Sequence, residues 1–187
     1  MCDPLKEQLK GKYVICSCEG AAEEAIMDLL IDNGLLCFCR EDLICRECTR
    51  IRDGKRLALK YLGTEMERDV VILRILDREK EKLNLPEVYR MGRNIPIFDI
   101  VTKPEIEILH ILDADLYDDF KAPRNKGVKA SAYCKEHLEM GNNVRDPKSK
   151  RFIVQRYADN PVRLIEAIRR HRQMVRQKSY SLFDLLA

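Results

Sequence analysis

The run DVVILRIL at residues 69–76 constrains the fold more than any other stretch of the chain. Its apolar residues are nearly continuous and largely β-branched, the pattern of a strand buried on both faces. Such a strand needs structure above and below it, which predicts an α/β fold with a mostly parallel sheet flanked by helices. Upstream, residues 12–18 (KYVICSC) read as another strand. Glu19-Gly20 then opens a helix over about 21–33, whose apolar positions Ala22, Ile26, Leu29 and Leu30 share one face, with Gly34 as its stop. Residues 35–39 read as a further strand, and residues 95–100 form another apolar segment.

Pro104 suits a first helical position, and Ile108, Leu109, Ile111, Leu112, Leu116 and Phe120 keep helical spacing after it. The spacing predicts one helix from Pro104 to Phe120; a strand ending at Asp113-Ala114-Asp115 is the competing reading. Further helices are predicted at 131–139 and, with Asn160 as N-cap and Pro161 at the first position, from there to about residue 178. Residues 1–120 therefore read as an α/β core, and 121–187 as a mainly helical extension packed on it.

Charge follows the same division. Residues 1–120 hold 18 Lys and Arg against 25 Asp and Glu, whereas 121–187 hold 16 against 6. A basic third of this kind attracts polyanions, unless the two surfaces neutralise each other in the fold. No apolar run approaches a bilayer span and the first twelve residues carry no hydrophobic signal region, so a cytoplasmic protein without membrane contact is expected.

Eight cysteines in such a chain argue for free thiols rather than disulfides. Cys16 and Cys18 share one strand face, as do Cys37 and Cys39, where a thiol behaves as a small apolar side chain. Cys37, Cys39, Cys45 and Cys48 offer four thiolates to Zn²⁺, although only the last step has the Cys-x2-Cys spacing of a metal-binding turn.

Ligands collect at the C-terminal strand edge of an open parallel sheet. Glu19 follows the first strand, and Asp77 and Glu79 follow the buried one, two apart and so on one side of an extended chain. Converging carboxylates repel one another, and a hard cation such as Mg²⁺ or Mn²⁺ resolves that repulsion and can stabilise charge on a phosphodiester. The same acids also read as solvated strand ends. Asp113 and Asp115 form the alternative pair, but lie 94 residues from Glu19, against 58 for Asp77.

The segments VICSCEGAAEEAIMDLL and VVILRILDRE together resemble a Toprim domain, which carries Glu-Gly after its first strand and Asp-x-Asp after a later one. Glu19-Gly20 matches the first motif, and Glu23 falls where many members have a second acid. Asp77-Arg78-Glu79 matches the second, with Glu at the last position in place of Asp. Lys103-Pro104-Glu105-Ile106-Glu107 is similar to the Asn-Pro-x-x-Glu helix of the RloB-like, OLD-related Toprim proteins of bacterial phage defence and mobile elements, without its Asn and Trp. The resemblance implies a metal-dependent nuclease with Glu19 as ligand and general acid/base, Asp77 and Glu79 as ligands, and Glu23 and Glu107 as supporting acids. It also implies a partner ATPase as one kind of protein partner.

The last predicted helix carries Arg163, Arg169, Arg170, Arg172, Arg176 and Lys178, a candidate surface for nucleic-acid backbone. His110, His137 and His171 have no ligand spacing and read as structural. Leu182, Phe183, Leu185 and Leu186 near the C-terminus either fold back on the core or dock on a partner or second copy of the chain. A catalytically degenerate Toprim-like binding protein and a zinc-binding regulatory protein are the competing readings.

Overall fold

The computed structural model describes residues 4–79, 82–90, 94–139, 146–175 and 178–187. Its centre is a three-stranded, wholly parallel sheet in the order β1 (Tyr13–Cys18), β2 (Val70–Leu76), β3 (Ile97–Val101). The fold is α/β, with helices on both sides of this sheet. In chain order these are α1 (Pro4–Leu9), α2 (Ala21–Asp32), α3 (Gly54–Tyr61), α4 (Glu87–Arg90), α5 (Ile108–Asp113), α6 (Tyr117–Phe120), α7 (Ala130–His137), α8 (Lys150–Tyr157) and α9 (Val162–Met174).

β2 is buried at every position, as its nearly continuous apolar run requires, and its one charged residue, Arg74, is buried against Asp99. Strand alternation sends its residues to two cores. Val14, Cys16, Cys18, Val71, Leu73, Ile75 and Ile100 join the larger one, with α2, α5 and the C-terminal helices. Ile15, Val70 and Ile72 join a smaller one beneath Leu57, Ala58, Tyr61 and Leu62 of the α3 region. The larger core takes Leu5 and Ile26 from the first third and Tyr157, Leu164 and Leu185 from the last, so residues 121–187 complete the core begun by the sheet.

The register aligns the strand ends, with Cys18 beside Ile75 and Leu76 beside Val101. Glu19, Asp77 and Thr102 therefore leave the sheet at one edge. α2 begins there because Gly20 supplies an extended N-cap and Glu23 and Glu24 face the positive end of the helix. It ends at Asn33, whose side chain donates to the Leu29 carbonyl, and at Gly34 with φ +64°.

Three expectations fail for local reasons. Residues 35–39 are no strand: one antiparallel bridge, Leu36 to Leu186, is the pairing there. The single helix from Pro104 is instead a turn after a cis Lys103–Pro104 bond, then α5, then α6, with Asp115 at φ +58° between them. The last helix begins at Val162 and stops at Met174. The segment after it folds back: Leu182, Leu185 and Leu186 are buried, while Phe183 stays 40% exposed. Its Tyr180 bridges Ile100 of β3, and the Cys37 amide donates to the Leu185 carbonyl at 2.9 Å.

Candidate functional site

Four carboxylates approach one another at the sheet edge, although among the described residues no three of them bring their oxygens within 4.8 Å of one another. The Asp77 amide donates to Glu19 Oε2 at 3.2 Å, and the Ile106 amide donates to Asp77 Oδ1 at 2.9 Å. Glu23, on the first turn of α2, hydrogen-bonds Asp77 and lies under the charge of Glu19. Its Oε2 would stand 3.0 Å from a Cβ on Gly20, so glycine lets the carboxylate lie against the backbone. Glu107 arrives on the turn before α5, 1% exposed, and its charge acts on the same group. Lys148 is a cation of the cluster, with Nζ 3.7 Å from Glu107 Oε2.

Water is too scarce here to keep all these acids ionised. Burial, reinforced by Asp77 and Glu19, pushes Glu23 up to about 7. Burial also lifts Glu107 to about 7, against the pull of Lys148, and lifts Asp77, to which Glu19 adds its repulsion. Lys148 is raised in turn, because Glu107, Glu105, Asp77 and Glu23 outweigh its own burial. Both carboxylate oxygens of Glu107 are buried without a hydrogen-bond partner. An unsatisfied buried carboxylate beside three others is a set of oxygen donors without enough positive charge.

Glu79 does not join this set. β2 ends at Leu76 and the chain bends at Asp77, so the parity that would put Asp77 and Glu79 on one side is lost. Glu79 is 62% exposed and pairs with Lys103 at 3.2 Å. The alternative acids are elsewhere too. Asp113, 3% exposed, sits between Arg156 and Arg163 at 2.5 and 2.8 Å, and Asp115 pairs with Arg170 at 2.6 Å.

Those pairs also change the reading of the basic helix. Arg163 and Arg170 are bound to α5 and the turn after it, and Arg172 lies 3.6 Å from Asp184. Arg169 and Lys178 are exposed, and Arg176 lies outside the described residues. Much of the basic third neutralises acids of the first 120 residues instead of forming a free cationic face.

A second concentration of cations was not visible in the sequence. On the α3 side of the sheet edge, a cavity of about 720 Å³ is lined by Ser17, Arg52, Gly54, Arg78 and Lys82, among others. Ser17 and Arg74 of one register row line it, Arg74 held by both Asp99 oxygens at 2.7 and 2.9 Å, and the acids Asp53 and Glu79 line it as well. Arg52 reaches from its rim to within 3.7 Å of Glu19. Among the described residues, no acid pairs with Arg78 or Lys82.

The thiols regroup as well. Cys39 is exposed and donates to Asp42 Oδ2 at 3.3 Å, Cys45 is exposed at φ +60°, and neither lies with Cys48. Cys48 instead meets Cys16 and Cys18, the three sulfurs lying within 4.8 Å of one another. These three thiols could hold a metal ion. The Cys16 and Cys18 contacts push the Cys48 thiol down to about 5 against its burial. Contacts with Cys18 and Cys48, then burial, hold Cys16 well above the thiol range.

The histidines serve the fold. His110 is fully buried, 2.8 Å from the Tyr157 hydroxyl, and burial drives it down to about 3. His171 holds the Lys103 carbonyl at 2.8 Å, and His137 stacks on Tyr133. Among the described residues, no helix is long and apolar enough to cross a membrane. No protein-family model matches the chain, no curated protein matches it, and no solved structure matches it.

Proposed function

We propose that the cluster of Glu19, Glu23, Asp77 and Glu107 binds a hard divalent cation, Mg²⁺ or Mn²⁺, and hydrolyses phosphodiester bonds of nucleic acid. The observation that carries this reading is the Glu107 carboxylate, buried without a hydrogen bond among the described residues, with Lys148 at 3.7 Å and the charge of Asp77 acting on it. An all-oxygen donor set with excess negative charge suits such a cation, which usually keeps water and substrate phosphate in its remaining positions. When bound, the cation would acidify a water and stabilise charge developing on the phosphodiester.

The protein's own groups have separable roles. Glu19 and Asp77 are fixed by backbone contacts at the strand ends and serve as ligands. Glu23 and Glu107, both near neutrality, are matched to accepting and returning a proton at physiological pH. Lys148 offsets the charge of the acids and donates toward a phosphate oxygen. Arg52, Arg78 and Lys82 hold the neighbouring phosphates in the adjoining cavity, giving sequence-independent, salt-sensitive binding.

The Toprim resemblance supports the same assignment, because strand, Glu-Gly, helix and an adjacent parallel strand ending in Asp form the frame of this cluster. A role in phage defence or a mobile element, with a partner ATPase, belongs to that resemblance. The test is cleavage of plasmid DNA and of RNA with and without Mg²⁺ or Mn²⁺. Glu19→Gln and Asp77→Asn should reduce cleavage to background, while Glu79→Gln leaves it intact. Metal-independent cleavage, or full activity of Glu19→Gln, would refute the assignment.

A further inference from the structure

We propose that Cys16, Cys18 and Cys48 form a site for one Zn²⁺ ion per chain, distinct from the carboxylate cluster. Alternation along β1 puts Cys16 and Cys18 on one face. Thr49 pairs with Ser17, its amide donating to the Cys16 carbonyl at 2.9 Å and its carbonyl accepting from the Cys18 amide at 2.7 Å. That pairing turns Cys48, one residue earlier, to the same face. Three thiols from two segments about thirty residues apart are thus set by backbone register.

The spacing suits coordination. Cys16 and Cys18 sulfurs are 4.0 Å apart, and all three lie within 4.8 Å. Thiolates on a tetrahedral zinc, with Zn–S about 2.3 Å, stand roughly 3.8 Å apart. Disulfide chemistry cannot satisfy this group, because one thiol of three is always left over.

Ligand type and charge select the ion. An all-sulfur set excludes Mg²⁺ and favours Zn²⁺ or Cu⁺. Three thiolates with Zn²⁺ carry one net negative charge, and with Cu⁺ they carry two. The charges of Glu23, Glu24 and Asp28 already act on these thiols. The nearby Arg40 is engaged with Asp28 and Asp32 at 2.8 and 2.5 Å. The divalent ion is therefore the better match for a site at most 6% exposed. Among the described residues, no other His, Cys, Asp or Glu joins the three at this range.

The experiment is metal analysis of the full chain purified without chelator, followed by replacement with Co²⁺. The expected result is one zinc per chain and a sulfur-to-cobalt charge-transfer band in the near ultraviolet. Cys48→Ser should lose both, with its circular dichroism retained, whereas Cys39→Ser/Cys45→Ser and Glu19→Gln should keep both. The last variant separates this site from the carboxylates, whose oxygen ligands give no such band. Retention of no zinc with no cobalt band, binding of Cu⁺ alone, or undiminished binding by Cys48→Ser would each overturn the proposal. The first two need no variant, so they decide even if Cys48→Ser fails to fold.

Discussion

Two groups of acids stand at opposite ends of the short helix α5, and their surroundings differ in kind. At its C-terminal end Asp113 lies between two guanidinium groups, and Asp115 meets a third. Before its N-terminal end Glu107 lies under the charge of Asp77, which Glu19 and Glu23 also approach, with Lys148 near Glu107 and Arg52 near Glu19. The first arrangement is electrically complete and ties α5 to α8 and α9. The second has four acids against Lys148 and Arg52, each 3.7 Å from one of them, and is completed by a proton or a bound cation. Burial alone does not distinguish a structural acid from a functional one; the matching of charge around it does.

Removing a charge at each end should act in opposite directions. Asp113→Ala strands Arg156 and Arg163 and should destabilise the protein by about 3–5 kcal/mol, as loss of one partner of a buried pair does. Urea denaturation measures this. A loss below 1 kcal/mol would mean that the pairs are as dispensable as surface ones.

Glu107→Gln removes a buried charge whose desolvation outweighs the pull of Lys148 at 3.7 Å, and should stabilise the metal-free protein above neutral pH. The direction follows from proton binding. Glu107 and Glu23 titrate near 7 folded and near 4.5 unfolded, so between these values the folded state holds the extra proton. Stability of the metal-free protein therefore falls as pH rises from about 4.5 to about 7. The whole effect is roughly 3 kcal/mol for each independent group. Melting temperature across that range should decline less in Glu107→Gln than in the parent. Equal slopes would remove Glu107 as a titrating member.

A cation should offset part of that decline. At about ten times its dissociation constant, Mg²⁺ should stabilise the protein by about 1.4 kcal/mol. Glu19→Gln should abolish the gain and Asp115→Asn should preserve it, both read by thermal denaturation at pH 8. The smallest effect belongs to the exposed pair. Asp115→Asn should change stability by at most about 1 kcal/mol, since Asp115 is 81% exposed.

The sequence was legible where local rules and burial agree. The nearly continuous apolar run of β2 and the Glu-Gly turn into α2 locate Glu19, Glu23 and Asp77, and Pro104 with Glu107 marks the next approach to the same edge. Legibility ended where a side chain's position depends on distant pairing. Glu79 was placed by strand parity, which fails one residue past Leu76. Cys48 joins Cys16 and Cys18 only through the Ser17–Thr49 pairing, and no spacing within residues 37–48 announces it. Lys148 lies in a turn-rich basic stretch with nothing local to mark it. The arginines of α9 look like a binding face until their partners on and after α5 are known.

The returning C-terminal segment has a consequence for the order in which the protein is made. Tyr180 pairs with Ile100 on the outer side of β3, and Leu185 and Leu186 pair with residues 36–37. About eighty residues separate Ile100 from Tyr180, which at 5–20 residues per second is roughly 4–16 s of synthesis. During that interval β3 has emerged without its outer neighbour, and an uncovered strand edge is a template for pairing with other chains. The arrival of residues 180–186 therefore bears on how long each nascent molecule is open to chaperones and to its neighbours on the same message.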